Sequence, residues 1–182
     1  MKRAALCAAV VLAARVAVVL AQAPDFSGTW KLDSNRTRAT PAASLAGLVG
    51  AGAPDTLHIT QPANGTLVIE SQINTSHARV YTAGGKSSTP VFVGPAGSIT
   101  MTSRWEGRTL VSEGRRESLS GTSTLVTEVK EVLALDSEGR TLTIEITTAG
   151  AEGKSASTLM YTRTRDVGPC QSWPTPCKSP SR

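Results

Sequence analysis

Three times in this chain a glycine turn leads into Thr-Leu and then into an alternating run that carries a glutamate. The copies are Gly65-Thr66-Leu67-Val68-Ile69-Glu70, Gly107-Arg108-Thr109-Leu110-Val111-Ser112-Glu113 and Gly139-Arg140-Thr141-Leu142-Thr143-Ile144-Glu145. A two-residue period places alternate side chains on opposite faces of a strand, and a glycine just before it supplies the left-handed backbone that a tight reversal requires. Each copy therefore reads as the return strand of a β-hairpin. Their irregular spacing excludes a solenoid or a propeller.

The remaining strand signals fit the same scheme. Thr29 to Asp33 comes first. Thr56 to Gln61 and Thr66 to Gln72 flank the turn Pro62-Ala63-Asn64-Gly65, and His77 to Thr82 precedes Gly84-Gly85. Ser98 to Trp105 and Thr109 to Glu117 flank Glu106-Gly107-Arg108. Thr124 to Leu135 and Thr141 to Thr148 flank Ser137-Glu138-Gly139, and Ser157 to Arg163 closes the set. About nine strands joined mostly by short turns predict an antiparallel meander. One face is apolar, as with Leu142, Ile144 and Ile146, and the other polar, as with Thr143, Glu145 and Thr147. A sheet of that length hides its edges by closing, so the expected fold is an all-β, antiparallel up-and-down barrel of 8–10 strands. Pro41 to Pro54 breaks the pattern. It is rich in Ala and Gly, with Leu45, Leu48 and Val49 at helical spacing, and predicts a short helical or loop insertion after the first strand, either a mobile excursion or a lid on the barrel mouth.

The first residues read as an address. Lys2 and Arg3 precede an apolar run from Ala4 to Val19, and Val19-Leu20-Ala21 fits the small-residue cleavage rule. Arg15 interrupts the run, which is also short of the roughly 20 residues that a spanning helix needs. The expected organisation is a signal peptide over 1–21, one barrel domain over 22–166 and a Pro-rich tail over 167–182. The product is expected to be secreted or periplasmic, a monomer, with no membrane span. Cleavage removes three basic residues and no acid, so the formal charge of +5 falls to +2. Arg104, Arg108, Arg115 and Arg116 are interleaved with Glu106, Glu113 and Glu117, a mixed strand face rather than the unbroken basic stripe of a nucleic-acid binder. Cys170 and Cys177 remain as an even pair, which in an oxidising compartment predicts a disulfide across the tail. The three asparagines, Asn35, Asn64 and Asn74, all lie in Asn-x-Ser/Thr sequons.

The sequence carries no recognisable catalytic signature. There is no Gly-x-Ser-x-Gly elbow. His58 and His77 are the only histidines and form no metal set with the cysteines. Gly84-Gly85-Lys86-Ser87 lacks the spaced first glycine of a phosphate loop and reads as a hairpin turn. Glu128 and Glu131 point to opposite faces of a strand. No cofactor is implied, and the chain is expected not to be an enzyme.

Phe26-Ser27-Gly28-Thr29-Trp30-Lys31-Leu32, just after the cleavage site, resembles the opening strand of the fatty-acid-binding proteins, with Gly28 and Trp30 in structural roles and the indole plugging the barrel base. Trp105-Glu106-Gly107 is similar to the later Trp-Asp-Gly turn of that family, and Tyr161-Thr162-Arg163 to its closing strand. Over Phe26 to Arg163 the chain thus resembles the calycin superfamily, including secreted bacterial lipocalin-like proteins. That resemblance implies a barrel that holds a small molecule. Two departures argue against a fatty acid: the positions of the family's carboxylate-gripping arginines fall at Leu159 and Gly114. The first functional reading is a carrier of a small hydrophobic molecule, its site lined by Ile69, Met101, Trp105, Ile144 and Tyr161, with the Tyr161 hydroxyl as polar handle and Arg163 able to meet an anion. The second is a packed, non-catalytic extracytoplasmic interaction module. The third is a barrel enzyme for a small substrate.

Overall fold

A computed structural model describes residues 23–40, 43, 53–62, 65–71, 74–91, 97–151 and 153–165. Ten strands follow one another: β1 (Gly28–Leu32), β2 (Thr56–Thr60), β3 (Thr66–Ser71), β4 (Asn74–Thr82), β5 (Gly85–Val91), β6 (Gly97–Glu106), β7 (Thr109–Ser120), β8 (Ser123–Leu135), β9 (Thr141–Gly150) and β10 (Gly153–Arg165). Their order in the sheet is β4-β3-β2-β1-β10-β9-β8-β7-β6-β5. Every sequential pair but β4–β5 is a hydrogen-bonded neighbour or lies on the β1–β10 closure, so the meander rolls into a nearly closed up-and-down barrel. The ends of the sheet meet at the Ala83-Gly84 turn, where Ala83 forms a parallel bridge to Ser103 and the Gly84 amide donates to the Ser103 carbonyl at 2.7 Å. The shape is compatible with a calycin-like fold.

Strand β5 was absent from the sequence reading. Lys86-Ser87-Ser88-Thr89-Pro90 carries no apolar alternation, and Pro90 cannot complete a ladder. It is tolerated here because β5 pairs only with β6 and its other edge faces the seam. Strand β10 also starts four residues earlier than its apolar pattern, at Gly153, with Gly153↔Gly150 closing the β9–β10 hairpin. There is no helix among the described residues. Of the insertion after β1, Ala43 is buried in the core, Ala53 packs against it and Pro54 is buried; residues 41–42 and 44–52 lie outside the described residues. So do residues 1–21, read above as a signal peptide, together with Asn64, Cys170 and Cys177.

The floor of the barrel is the end where the chain enters. Phe26 and Trp30 are fully buried, the Trp30 Nε1–H donates to the Phe26 carbonyl at 3.0 Å, and the Phe26 and Trp105 rings sit 5.7 Å apart. Above them, the inward residues Leu57, Ile59, Leu67, Ile69, Leu133, Leu142, Ile144, Leu159 and Tyr161 have no accessible area or almost none. These side chains therefore pack against one another without water-accessible surface between them. The opposite end, the rim, carries the β7–β8 turn at Gly121 and the β9–β10 turn at Ala151.

Candidate functional site

Cross-strand register sorts the inward residues into layers. One row crosses five strands as Ser157, Ile146, Glu131, Ser112 and Ser103. Arg79 and Tyr81 reach this row from β4, on the far side of the barrel. Arg79 grips Glu131 in a two-pronged bond, Nη1 to Oε1 at 3.1 Å and Nη2 to Oε2 at 2.9 Å. The Tyr81 hydroxyl donates to Oε2 at 2.8 Å, and the Arg79 guanidinium lies 5.2 Å from the Tyr81 ring centre. Arg79 is 1% exposed and Glu131 0%. Burial pushes the Tyr81 hydroxyl's pKa well above its usual range. Burial is the largest single influence on Arg79 and lowers its pKa, but the Glu131 charge, Tyr81 and the hydrogen bonds to Glu131 together outweigh it and leave the pKa raised. Ser103 and Ser112 hydroxyls bond each other at 2.7 Å in the same layer. The centre is therefore an internally satisfied polar belt, a fixed strut across the barrel.

Sequence reasoning missed this belt, although the signal was present. Glu131 shares strand parity with Val129 and Leu133, and Arg79 with Tyr81, so each charge was committed indoors by its neighbours.

One layer nearer the rim, the inward row is Ser87, Met101, Gly114, Val129, Thr148 and Ser155. The side chains are small, apart from Met101. Exposure returns here, to 6% at Val129 and 8% at Thr148. An open groove of about 680 Å³ runs across β7–β10 at this level, where the backbone of Gly114, Val129, Thr148 and Ser155 is flanked by two outward rows, Glu113, Lys130, Thr147 and Ala156 on one side and Glu128, Ala149 and Lys154 on the other. Thr40, on the chain leaving β1, borders this layer: its hydroxyl lies 2.7 Å from the Ser155 hydroxyl, and its amide donates to the Ser157 hydroxyl at 2.7 Å.

The residues expected to line a ligand site all face inward but do not meet in one place. Ile69 stands opposite Arg79, Ile144 between Leu133 and Leu159, and Trp105 opposite Leu110 at the floor. Only Met101 belongs to the small-residue row nearer the rim, opposite Gly114. The Tyr161 hydroxyl donates to the Pro54 carbonyl at 3.0 Å, and burial raises its pKa far above the usual phenol range. Arg163 lies 4.5 Å over the Trp30 ring and its Nη2 donates to the Asp25 carbonyl at 2.6 Å. Both polar handles thus contact the protein itself. The two departures from the family pattern also have structural readings. Leu159 is packed in the core. At Gly114 a Cβ would fall 1.9 Å from the Thr100 carbonyl oxygen and 2.8 Å from the Met101 Cα, so the β6–β7 approach admits no side chain there at all.

On the outward face, Thr29, His58 and Glu70 occupy one register row over β1, β2 and β3. Thr29 Oγ1 lies 3.3 Å from His58 Nδ1, and burial raises the Glu70 carboxyl pKa. Among the described residues no group of three or more His, Cys, Asp or Glu is arranged to hold a metal ion, and no helix is long and apolar enough to cross a membrane. No protein-family model matches the chain, and comparison with curated proteins finds no significant relative.

Proposed function

We propose that this is an extracytoplasmic, lipocalin-like binding protein that takes a small, largely apolar molecule into the rim half of its barrel, above the Arg79–Glu131 belt. The observation that carries this reading is the change in lining between layers. Below the belt the inward side chains are large and have no water-accessible surface between them. Above it they shrink to Gly114, Val129, Thr148 and Ser155, and exposure returns at Val129 and Thr148. The ligand is thereby moved toward the rim from the deeper set first expected. Ile69, Ile144, Trp105 and Tyr161 become its support, and Met101 its contact.

The test is a plug. Val129→Trp fills the row with an indole and should abolish binding of the neutral dye N-phenyl-1-naphthylamine while leaving the far-UV circular dichroism unchanged. Undiminished dye binding by the folded variant would remove the rim half of the barrel from consideration. Native mass spectrometry of protein taken from the periplasm should then find a co-purified small molecule in the wild type and not in the variant.

The interaction-module reading is favoured by one observation, the exposed tip of the β7–β8 hairpin, where Leu119, Leu125 and Val126 are 55%, 41% and 46% exposed. Protein that carries no small molecule and binds neither dye nor lipid would favour that reading.

A further inference from the structure

The large apolar side chains exposed among the described residues are Leu119, Leu125 and Val126, at 55%, 41% and 46%, and all lie on the β7–β8 hairpin. That hairpin outruns its neighbour. β8 pairs with β9 only from Glu128 onward, because β9 ends at Gly150 and β10 begins at Gly153, whereas β7 stays paired with β8 as far as Ser120↔Ser123. Ser123 to Thr127 are therefore held on the β7 side and meet no ladder partner among the described residues on the other.

The direction of the main-chain groups follows from the turn. Gly121 takes φ 61° and opens a two-residue turn, so Ser120 and Ser123 form the hydrogen-bonded pair that closes it. Alternation then turns the N–H and C=O of Thr124 and Val126 away from β7. The Val126 carbonyl agrees: it lies 3.5 Å from where a Cβ on Gly150 would sit, on the β9 side. Open edges in soluble proteins carry charges, prolines or bulges that keep other strands off. β5, at one end of the sheet, carries Lys86 and Pro90. Ser123-Thr124-Leu125-Val126-Thr127 has no charge, proline or glycine, and its Thr and Val favour strands.

We infer that this edge is a self-association surface, on which a second copy of the chain lays its own Ser123–Thr127 antiparallel across a two-fold axis. An antiparallel pair is its own two-fold complement, so one segment serves both copies. Centred on Leu125, the pairing sets Leu125 against its copy and Thr124 against Val126 of the second chain. Thr124 and Val126 are the residues whose main-chain groups face the open edge, so each such pair exchanges two hydrogen bonds. Leu119 stands beside Thr124 in the β7–β8 register and thereby approaches Val126 of the second copy. One contact covers all three exposed apolar side chains, and no charge meets a like charge within it. Uncharged, self-matching residues favour a second copy over a charged peptide. A dimer replaces the monomer expected from the sequence, and it holds whether or not the barrel takes a ligand. So short a contact is weak, with association expected at micromolar concentration.

Sedimentation velocity of the purified chain across the micromolar range tests the contact. The mass should rise from one chain to two and stop there, since a two-fold contact closes on itself. Thr124→Pro removes an edge N–H without taking a bond from the β7–β8 ladder. It should raise the dissociation constant about tenfold or more with Tm unchanged. Val126→Lys sets two cations close together across the axis and should leave a monomer at every concentration. It also decides the matter should the proline variant fail to fold. A wild type that stays monomeric throughout overturns the inference. So does a dimer that Val126→Lys leaves intact, or a mass that grows past two chains. A chain that is monomeric in solution but floats with phosphatidylcholine vesicles, and loses that binding in Val126→Lys, overturns it in favour of a bilayer partner.

Discussion

Removing the Glu131 carboxylate should be among the most damaging single changes in this protein. Glu131→Gln keeps the shape of the side chain but leaves the Arg79 cation, 1% exposed, facing a neutral amide. Breaking a buried pair from one side costs about 3–5 kcal/mol, because the remaining charge cannot reach water. For a domain of this size, each kcal/mol moves Tm by roughly 2–4 °C, so the variant should melt about 6–20 °C below the wild type. Arg79→Met should cost a similar amount for the converse reason. The double variant Arg79→Met/Glu131→Leu removes both charges and should regain most of that loss, since an ion pair replaced by apolar groups of similar volume is often neutral or stabilising. Tyr81 would then keep a hydroxyl without its acceptor, so adding Tyr81→Phe should restore more stability in the double background and cost about 1.5–3 kcal/mol in the wild type. Urea unfolding followed by far-UV circular dichroism measures the cycle. A loss below about 1 kcal/mol for Glu131→Gln, or single-variant losses that simply add in the double variant, would refute the strut.

Two further changes test other parts of the barrel. Burial raises the Glu70 pKa, so folding favours its protonated form. Its contribution is fully present below the unfolded carboxylate pKa and is lost as pH rises through the raised folded value. Glu70→Gln should therefore raise Tm at pH 7 and leave it unchanged near pH 3; a Tm at pH 7 equal to or below that of the wild type refutes the burial argument. Gly114→Ala places a Cβ against the Thr100 carbonyl and must part β6 from β7. It should lower Tm well beyond the small cost of an ordinary Gly→Ala change, and hydrogen exchange should speed up at Thr100–Thr102; a neutral result would show that the strands part freely.

The elements legible in the sequence were those that follow local rules. Leu142, Ile144 and Ile146 alternate cleanly, and they lie on one buried face of β9. Gly107 and Gly139 mark turns and take positive φ, 61° and 69°. Trp30, read as the plug of the base, is fully buried, with its indole N–H bonded to the Phe26 carbonyl and Arg163 over its ring. What escaped depends on which distant strands face each other across the barrel. Arg79 and Glu131 are 52 residues apart in sequence, and no spacing rule joins them. Each reads as surface charge until strand parity is carried through to the neighbours. The same applies to Arg116, which sits in a run of charged residues. Arg115 and Glu117 beside it point outward and pair with each other, and only the register with Ile99 turns Arg116 indoors.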